Sequence, residues 1–224
     1  MLIVGIDDAG RGPVIGPMVL AGVVINKETE EELKKLGVKD SKLLSPKKRE
    51  ELRKEIEKRA IAFEITITHP AEIDARGGMG LNLNQIEAIK SAEIINKLAK
   101  KTKSNEINTV IDCPSPNREA WKDYLMKHIE NKELPISCEH KADQNHVACS
   151  AASIIAKTTR DAEINKLKKK IGKDFGSGYS SDPATIEFLK KYFNEHKKDG
   201  IFRETWGTIT NHKKEKSQKK IGEY

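Results

Sequence analysis

Cysteine is scarce in this chain and poorly placed for cross-linking. Cys113, Cys138 and Cys149 form no CxxC pair, and their number is odd. That argues against a disulfide framework or a structural zinc site and points to a reducing compartment. Long apolar runs are also missing, since nothing approaches the roughly 20 residues that a spanning helix needs. No basic stretch precedes an apolar core at the N-terminus, and no small-residue cleavage site follows. A signal peptide is therefore not expected, a membrane partner is not expected, and the expected location is the cytoplasm. No internal repeat or low-complexity linker interrupts the 224 residues. The six histidines are scattered. His140 and His146 lack partners at metal-ligand spacing and read as structural or peripheral.

What is abundant is charge. Charged residues make up 33% of the chain and hydrophobic ones 37%, with a net charge of +7. This describes a soluble globular protein with one well-cored domain plus additions. The positive excess favours a polyanionic partner, nucleic acid first. It fits equally well a lysine-rich solubilising surface of the kind found in heat-adapted proteins.

Apolar patterning gives the order of elements. Leu2 to Ile6 reads as a buried strand, followed by the turn-rich Gly10-Arg11-Gly12-Pro13. Met18 to Ile25 is a second strand, and Ile61 to Thr68 alternates cleanly as a third. Between them Ser45-Pro46 opens a helix, Ser as cap and Pro in the first turn, with Leu52 and Ile56 four apart. Next come a helix lined by Ile86, Ile89, Ile94, Ile95 and Leu98, a strand from Ile107 to Ile111, and a helix carrying Trp121, Leu125 and Ile129. A short strand, Leu134 to Cys138, precedes a long helix from Val147 to Ile171. Further helices start near Asp182 and Phe202, and a lysine-rich tail ends the chain. The expected class is α/β, a mixed five-stranded sheet flanked by helices, with a helical C-terminal extension.

The acids fall where such a sheet makes sites. Asp7-Asp8 ends the first strand, Asp112 ends the strand from Ile107, and Asp143 follows the strand from Leu134. Strand carboxyl ends are where ligands bind in open α/β sheets. Carboxylates brought together repel and raise one another's pKa, a conflict that divalent cations resolve. Oxygen ligands without His or Cys suit Mg²⁺ or Mn²⁺. Two such ions roughly 3.5–4 Å apart serve phosphodiester hydrolysis. Each Asp alone is as well explained as a turn former or cap, and the spacing fits phosphatases as well as nucleases.

Longer motifs narrow the field. Gly5-Ile6-Asp7-Asp8-Ala9-Gly10-Arg11-Gly12-Pro13-Val14-Ile15-Gly16-Pro17, Asp40-Ser41-Lys42-Leu43-Leu44, Lys141-Ala142-Asp143, Ser150 to Lys157, Arg160-Asp161, Gly176 to Pro183 and Thr205-Trp206 occur in one order. Together they resemble the archaeal form of type 2 ribonuclease H, ribonuclease HII, over nearly the whole chain. The resemblance implies a ribonuclease H-like catalytic domain over residues 1–172, a helical substrate-binding extension over 173–212 and a mobile basic tail over 213–224. It implies an endonuclease that cuts the RNA strand of RNA–DNA hybrids. The same enzyme would cut 5′ of ribonucleotides embedded in duplex DNA, leaving 3′-OH and 5′-phosphate ends. Asp7, Asp8, Asp112 and Asp143 fall on the family's metal-binding acids, and Asp161 on a further acidic position. Gly10-Arg11-Gly12 matches the loop that reads the ribonucleotide 2′-OH, and Tyr179 matches a tyrosine that stacks on the neighbouring sugar. Lys42, Lys141, Lys157 and Arg160 lie inside the matching blocks as phosphate contacts. Lys157 and Asp161 are also spaced for a simple helix ion pair.

Two positions depart from the family. Asp8 stands where Glu is usual, and Ser180 where Pro is usual. Neighbouring strand residues face opposite ways, so Asp7 and Asp8 share a site only if the chain bends or one side chain reaches around. Two other readings therefore stand beside the nuclease: a hybrid-binding module weakened in catalysis by Asp8, and a two-metal nuclease or phosphatase indifferent to RNA. Finally, Gln218, Ile221 and Tyr224 are spaced i, i+3, i+6. This resembles the box by which replication and repair proteins bind the sliding clamp. The family implies a monomer.

Overall fold

The structure is a computed structural model that describes residues 1–39, 41–104 and 106–221, with only the backbone for Lys42 and for residues 215–221. Five strands form one mixed sheet: β1 (Leu2–Ala9), β2 (Met18–Ile25), β3 (Ala62–Thr68), β4 (Ile107–Asp112) and β5 (Ile136–Glu139), in the order β3-β2-β1-β4-β5. β1 lies at the centre. It runs antiparallel to β2 and parallel to β4, which is parallel to β5. The mixed five-stranded sheet expected from the apolar patterning is therefore present.

The helices are α1 (Lys27–Leu36), α2 (Pro46–Arg59), α3 (Pro70–Gly78), α4 (Leu83–Thr102), α5 (Arg118–Met126), α6 (Ala142–Asn145), α7 (Val147–Ile171), α8 (Pro183–His196) and α9 (Gly207–Ile221). Their boundaries have local causes. Ser45 and Asp182 cap α2 and α8 with their side chains, each with Pro in the first turn. Asn82 and Gln85 cap α4 reciprocally.

Several boundaries differ from the sequence expectation. β1 does not stop before the acids, because its pairing with β2 continues through Asp7↔Ala21 and Asp8↔Leu20 to Ala9↔Val19. Ladder hydrogen bonds here override the poor strand preference of Asp. α5 ends at Met126, so Ile129 is buried outside the helix. β5 begins two residues later than expected, at Ile136. The expectation omitted α1, α3 and α6. Only Thr29 and Leu33 of α1 are buried, which leaves little apolar period to detect.

The chain forms two compact units. The first comprises residues 1–9, 19–67 and 82–160, and the second residues 10–18, 68–81 and 161 onward. The core of the first packs β2 residues Val19, Ala21, Val23 and Ile25 with Leu52 and Ile56 of α2 and the small residues of α7 from Ala148 to Ala156. Close approach is built into Gly5. A Cβ there would lie 2.1–2.4 Å from backbone atoms of Ala148 and Cys149, so α7 rests directly on β1. The second unit has its own core, with Val14, Ile15, Phe175, Phe188, Phe193, Ile201 and Phe202. All three cysteines are free. No helix among the described residues is long and apolar enough to cross a membrane.

Candidate active site

Parallel pairing sets the first part of the site. Ile6 of β1 pairs with Ile111 of β4, so the next residue of each strand, Asp7 and Asp112, reaches the same level, where β4 ends and β1 runs on to Ala9. After β5 the chain turns through Lys141, whose φ of 58° is left-handed, into α6. The Ala142 N–H donates to Asp112 Oδ1 at 2.9 Å, tying α6 to the end of β4. Asp143 lies in this first turn, and its carbonyl accepts from the Ser150 hydroxyl at 2.6 Å. As a result Asp7, Asp112 and Asp143 each offer an oxygen within 4.8 Å of the others. Asp143 is only 1% exposed and Asp7 only 6%.

Electrostatics at Asp7 are unfavourable for an isolated carboxylate. Burial first, then the charge of Asp8, and more weakly that of Asp112, push its carboxyl well above the ordinary carboxylate range. A Ser153 hydroxyl bond and the Asp8 N–H, which donates to Asp7 Oδ1 at 2.7 Å, oppose the shift and are outweighed. Ser153 is itself fully buried and 2.8 Å from the Ser41 hydroxyl. Arg49 in turn donates to the carbonyls of Ser41 and Leu44. Cys149, one helical turn before Ser153, donates to the Val110 carbonyl at 3.3 Å. The small-residue face of α7 thus reaches both parallel strands that carry acids. Three carboxylates with no His or Cys among them form a donor set suited to a hard divalent cation.

Asp8 is half-buried and lies outside the three-residue cluster, although its charge acts on Asp7. Lys141 is exposed, Lys157 half-buried and Arg160 buried, all in the first unit. Lys42 has its backbone in a 3-10 turn, Ser41–Leu43. Asp161 is half-buried on the later part of α7, in the second unit. The backbone of Gln218 and Ile221 is in α9, while Tyr224 lies outside the described residues. Neither histidine joins the acids as a ligand. His140 meets the Ser115 carbonyl at 2.9 Å and His146 the Glu139 carboxylate at 2.8 Å.

The second unit assembles the glycine-rich elements. Gly178, at φ +83°, accepts from the N–H groups of Val14 (2.8 Å) and Ile15 (3.2 Å). Its own N–H donates to the buried Thr185 hydroxyl. A Cβ at Gly178 would come within 2.7 Å of the Ile15 carbonyl oxygen, so this crossing needs glycine. It places Tyr179 beside the Gly10-Arg11-Gly12 loop: a Cβ on Gly12 would touch the Tyr179 ring at 3.4 Å. Sequence reading named the loop and the tyrosine but gave no role to Ser41, Ser153 or Arg203. The two serines stood inside motif blocks without any periodic signal of their own, and Arg203 stood outside every block.

Comparison with known proteins identifies the family and the fold. The family profile described as Ribonuclease HII matches residues 4–209. Ribonuclease HII of Methanococcus maripaludis (strain C6) is 45% identical over 98% of this chain and 90% of its own length. The crystal structure of ribonuclease H2 from Pyrococcus horikoshii OT3 superposes with a TM-score of 0.83 at 37% identity, covering 96% of this chain and 98% of that one. The ribonuclease HII in a PCNA complex from Archaeoglobus fulgidus gives a TM-score of 0.81 at 41% identity, covering 94% and 96%. The fold is thus the ribonuclease H-like one, and the chain belongs to the ribonuclease HII family, whose members are ribonuclease H hydrolases.

Proposed function

We propose that the protein cuts the RNA strand of RNA–DNA hybrids and cuts 5′ of single ribonucleotides embedded in duplex DNA, leaving 3′-OH and 5′-phosphate ends. The observation that carries this reading is the convergence of Asp7, Asp112 and Asp143 within 4.8 Å, in a chain of this family. These acids, with Asp8 beside them, would hold Mg²⁺ or Mn²⁺. A pair of such ions supplies an activated water and stabilises charge on the leaving oxygen.

The chain's own residues do the rest. The Ser153 hydroxyl and the Asp8 N–H hold the Asp7 carboxylate in one orientation, and the Ala142 N–H holds Asp112. Lys42, Lys141, Lys157 and Arg160 neutralise phosphates, the sequence-independent part of nucleic-acid affinity. Gly10-Arg11-Gly12 reads the 2′-OH, the group that separates RNA from DNA. Tyr179 offers a face for stacking on the adjoining nucleotide. Asp161 takes a supporting acidic role on the strength of the family match alone. The enzyme acts as a monomer in the cytoplasm.

One assay tests the reading. Four substrates are offered with Mg²⁺ or Mn²⁺: duplex DNA with one ribonucleotide, all-DNA duplex, RNA–DNA hybrid and a phosphomonoester. Cleavage of only the first and third is expected. A hybrid shifted on a gel but never cut would identify a binding module. Cleavage of all-DNA duplex or of the monoester would identify a hydrolase indifferent to RNA.

A second reading concerns the C-terminus. The Archaeoglobus relative was solved as a PCNA:RNase HII complex, and Gln218, Ile221 and Tyr224 have clamp-box spacing. We propose that this tail plugs an apolar pocket of the sliding clamp with its aliphatic and aromatic residues. Equal clamp binding by the full chain and by a version truncated after Ser217 would reject the docking.

A further inference from the structure

Arg203 lies between α8 and α9 and is completely buried, an unusual place for a guanidinium. Its charge is satisfied by backbone carbonyls of one short segment. Nη2 donates to the Gly10 carbonyl at 2.5 Å, Nη1 to the Arg11 carbonyl at 2.7 Å and Nε to the Gly16 carbonyl at 3.1 Å. The Trp206 ring lies 5.0 Å from the guanidinium carbon. The surrounding backbone is locked as well. The Arg203 N–H donates to the Val14 carbonyl at 3.0 Å, the Gly16 N–H to the Ile201 carbonyl at 2.9 Å, and Ile15 bridges Phe202. On the other side of the segment, Asp74 accepts from the Glu204 and Thr205 N–H groups and from the Thr205 hydroxyl.

The consequence follows from peptide geometry. In a planar trans peptide the C=O and the following N–H point in opposite directions, and no cis bond occurs among the described residues. Fixing the Gly10 carbonyl on Arg203 therefore aims the Arg11 N–H away from it. Fixing the Arg11 carbonyl aims the Gly12 N–H away in the same manner. A cation on each carbonyl also polarises its peptide, strengthening the donor on the far side. The rigid planar fork spreads its donors from Nε to both Nη atoms and so spans three separate carbonyls, a spread that the compact ammonium of Lys, with its three donors on one nitrogen, does not offer.

We propose that Arg203 is a positioning residue for ribonucleotide recognition. It never touches substrate. It orients and polarises the two successive N–H donors of the Gly10-Arg11-Gly12 loop, and so sets the discrimination between ribose and deoxyribose. This rests on the reading of that loop as the 2′-OH reader.

The test measures binding, which needs no turnover. In an Asp112→Asn background, affinity is measured for duplex DNA with one ribonucleotide and for the same duplex made entirely of DNA. Arg203→Lys is then added. The expected result is a preference for the ribonucleotide that falls by about tenfold, the worth of a strong hydrogen bond, while affinity for all-DNA duplex stays unchanged. An undisturbed preference overturns the role of Arg203 and leaves the loop assignment intact. No preference in the Asp112→Asn parent sinks the loop assignment itself, and the inference with it. Should Arg203→Lys not fold, Arg203→Gln, which keeps one donor arm, is read by the same ratio. General destabilisation would lower both affinities together, and that outcome counts against the proposal.

Discussion

The acid cluster and the glycine loop solve opposite electrostatic problems. In the first unit the sheet register forces like charges together, and the acids Asp7, Asp112 and Asp143 converge with Asp7 raised well above its ordinary pKa. In the second unit the buried guanidinium of Arg203 donates to three neutral backbone carbonyls. The first arrangement is a donor set suited to an external cation, while the second carries its own cation. The two sites are thus ordered differently: the acids bring like charges together, and the Gly10-Arg11-Gly12 loop is held by hydrogen bonds within the fold.

The largest expected effect breaks the acid side alone. Asp112→Asn removes one charge from the cluster. Cleavage should drop by at least about a hundredfold, a loss typical for a group that organises transition-state charge, while substrate binding stays within a few-fold because it rests on phosphate contacts. Single-turnover cleavage alongside a gel shift at fixed salt would check this. Substantial turnover at saturating Mg²⁺ would show that Asp112 is no ligand.

On the loop side, Tyr179→Ala should slow cleavage at a single embedded ribonucleotide about fivefold to over a hundredfold, from roughly 1–3 kcal/mol of lost stacking. An unchanged rate would reduce Tyr179 to packing against Gly12.

A stability experiment sharpens the contrast. Because the folded-state pKa of Asp7 is raised, the unfolded chain releases that proton first as pH increases. Stability therefore falls as pH rises from the ordinary carboxylate pKa, about 3.9, towards the raised value. In chelator at neutral pH, Asp7→Asn should melt higher than the parent by several degrees, since 1 kcal/mol moves Tm by roughly 2–4 °C at this size. Added Mg²⁺ should raise the Tm of the parent more than that of the variant. A lower Tm for Asp7→Asn in chelator would mean that its hydrogen bonds outweigh the burial of its charge.

The smallest effect is expected at Asp8. Asp8→Glu restores the usual family length at a residue outside the three-acid cluster, so activity in Mg²⁺ should hold or rise within about the few-fold range of a bridging-water exchange. A loss of tenfold or more would show a site built around the shorter side chain.

Much of this was legible in the sequence, for uneven reasons. Buried strands such as Met18–Ile25 announce themselves because both faces are apolar, and the extent of α7 followed from a composition that starts with small residues and ends in lysine. The acids were visible as residues at strand ends, yet β1 runs on through Asp7 and Asp8, since backbone pairing with β2 leaves no mark in side-chain pattern. α3 escaped notice because its last turn, Gly77-Gly78, reads as loop. Arg203 illustrates the hardest class. Its partners are backbone carbonyls some 190 residues away in the chain, and carbonyls carry no residue identity.

The contact of α7 with Gly5 also governs how the protein is made. Leu2–Ala9 leaves the ribosome well before some of its neighbours in the sheet and against its face, which include β4 and the start of α7, near residues 107–112 and 148. At about 5–20 residues per second, this central strand waits on the order of ten seconds or more for its last partner. Through that interval its apolar stretch lacks the partners that bury it, and the nascent chain carries Asp7 without Asp143. The three acids therefore cannot come together until the chain has been synthesised through Asp143.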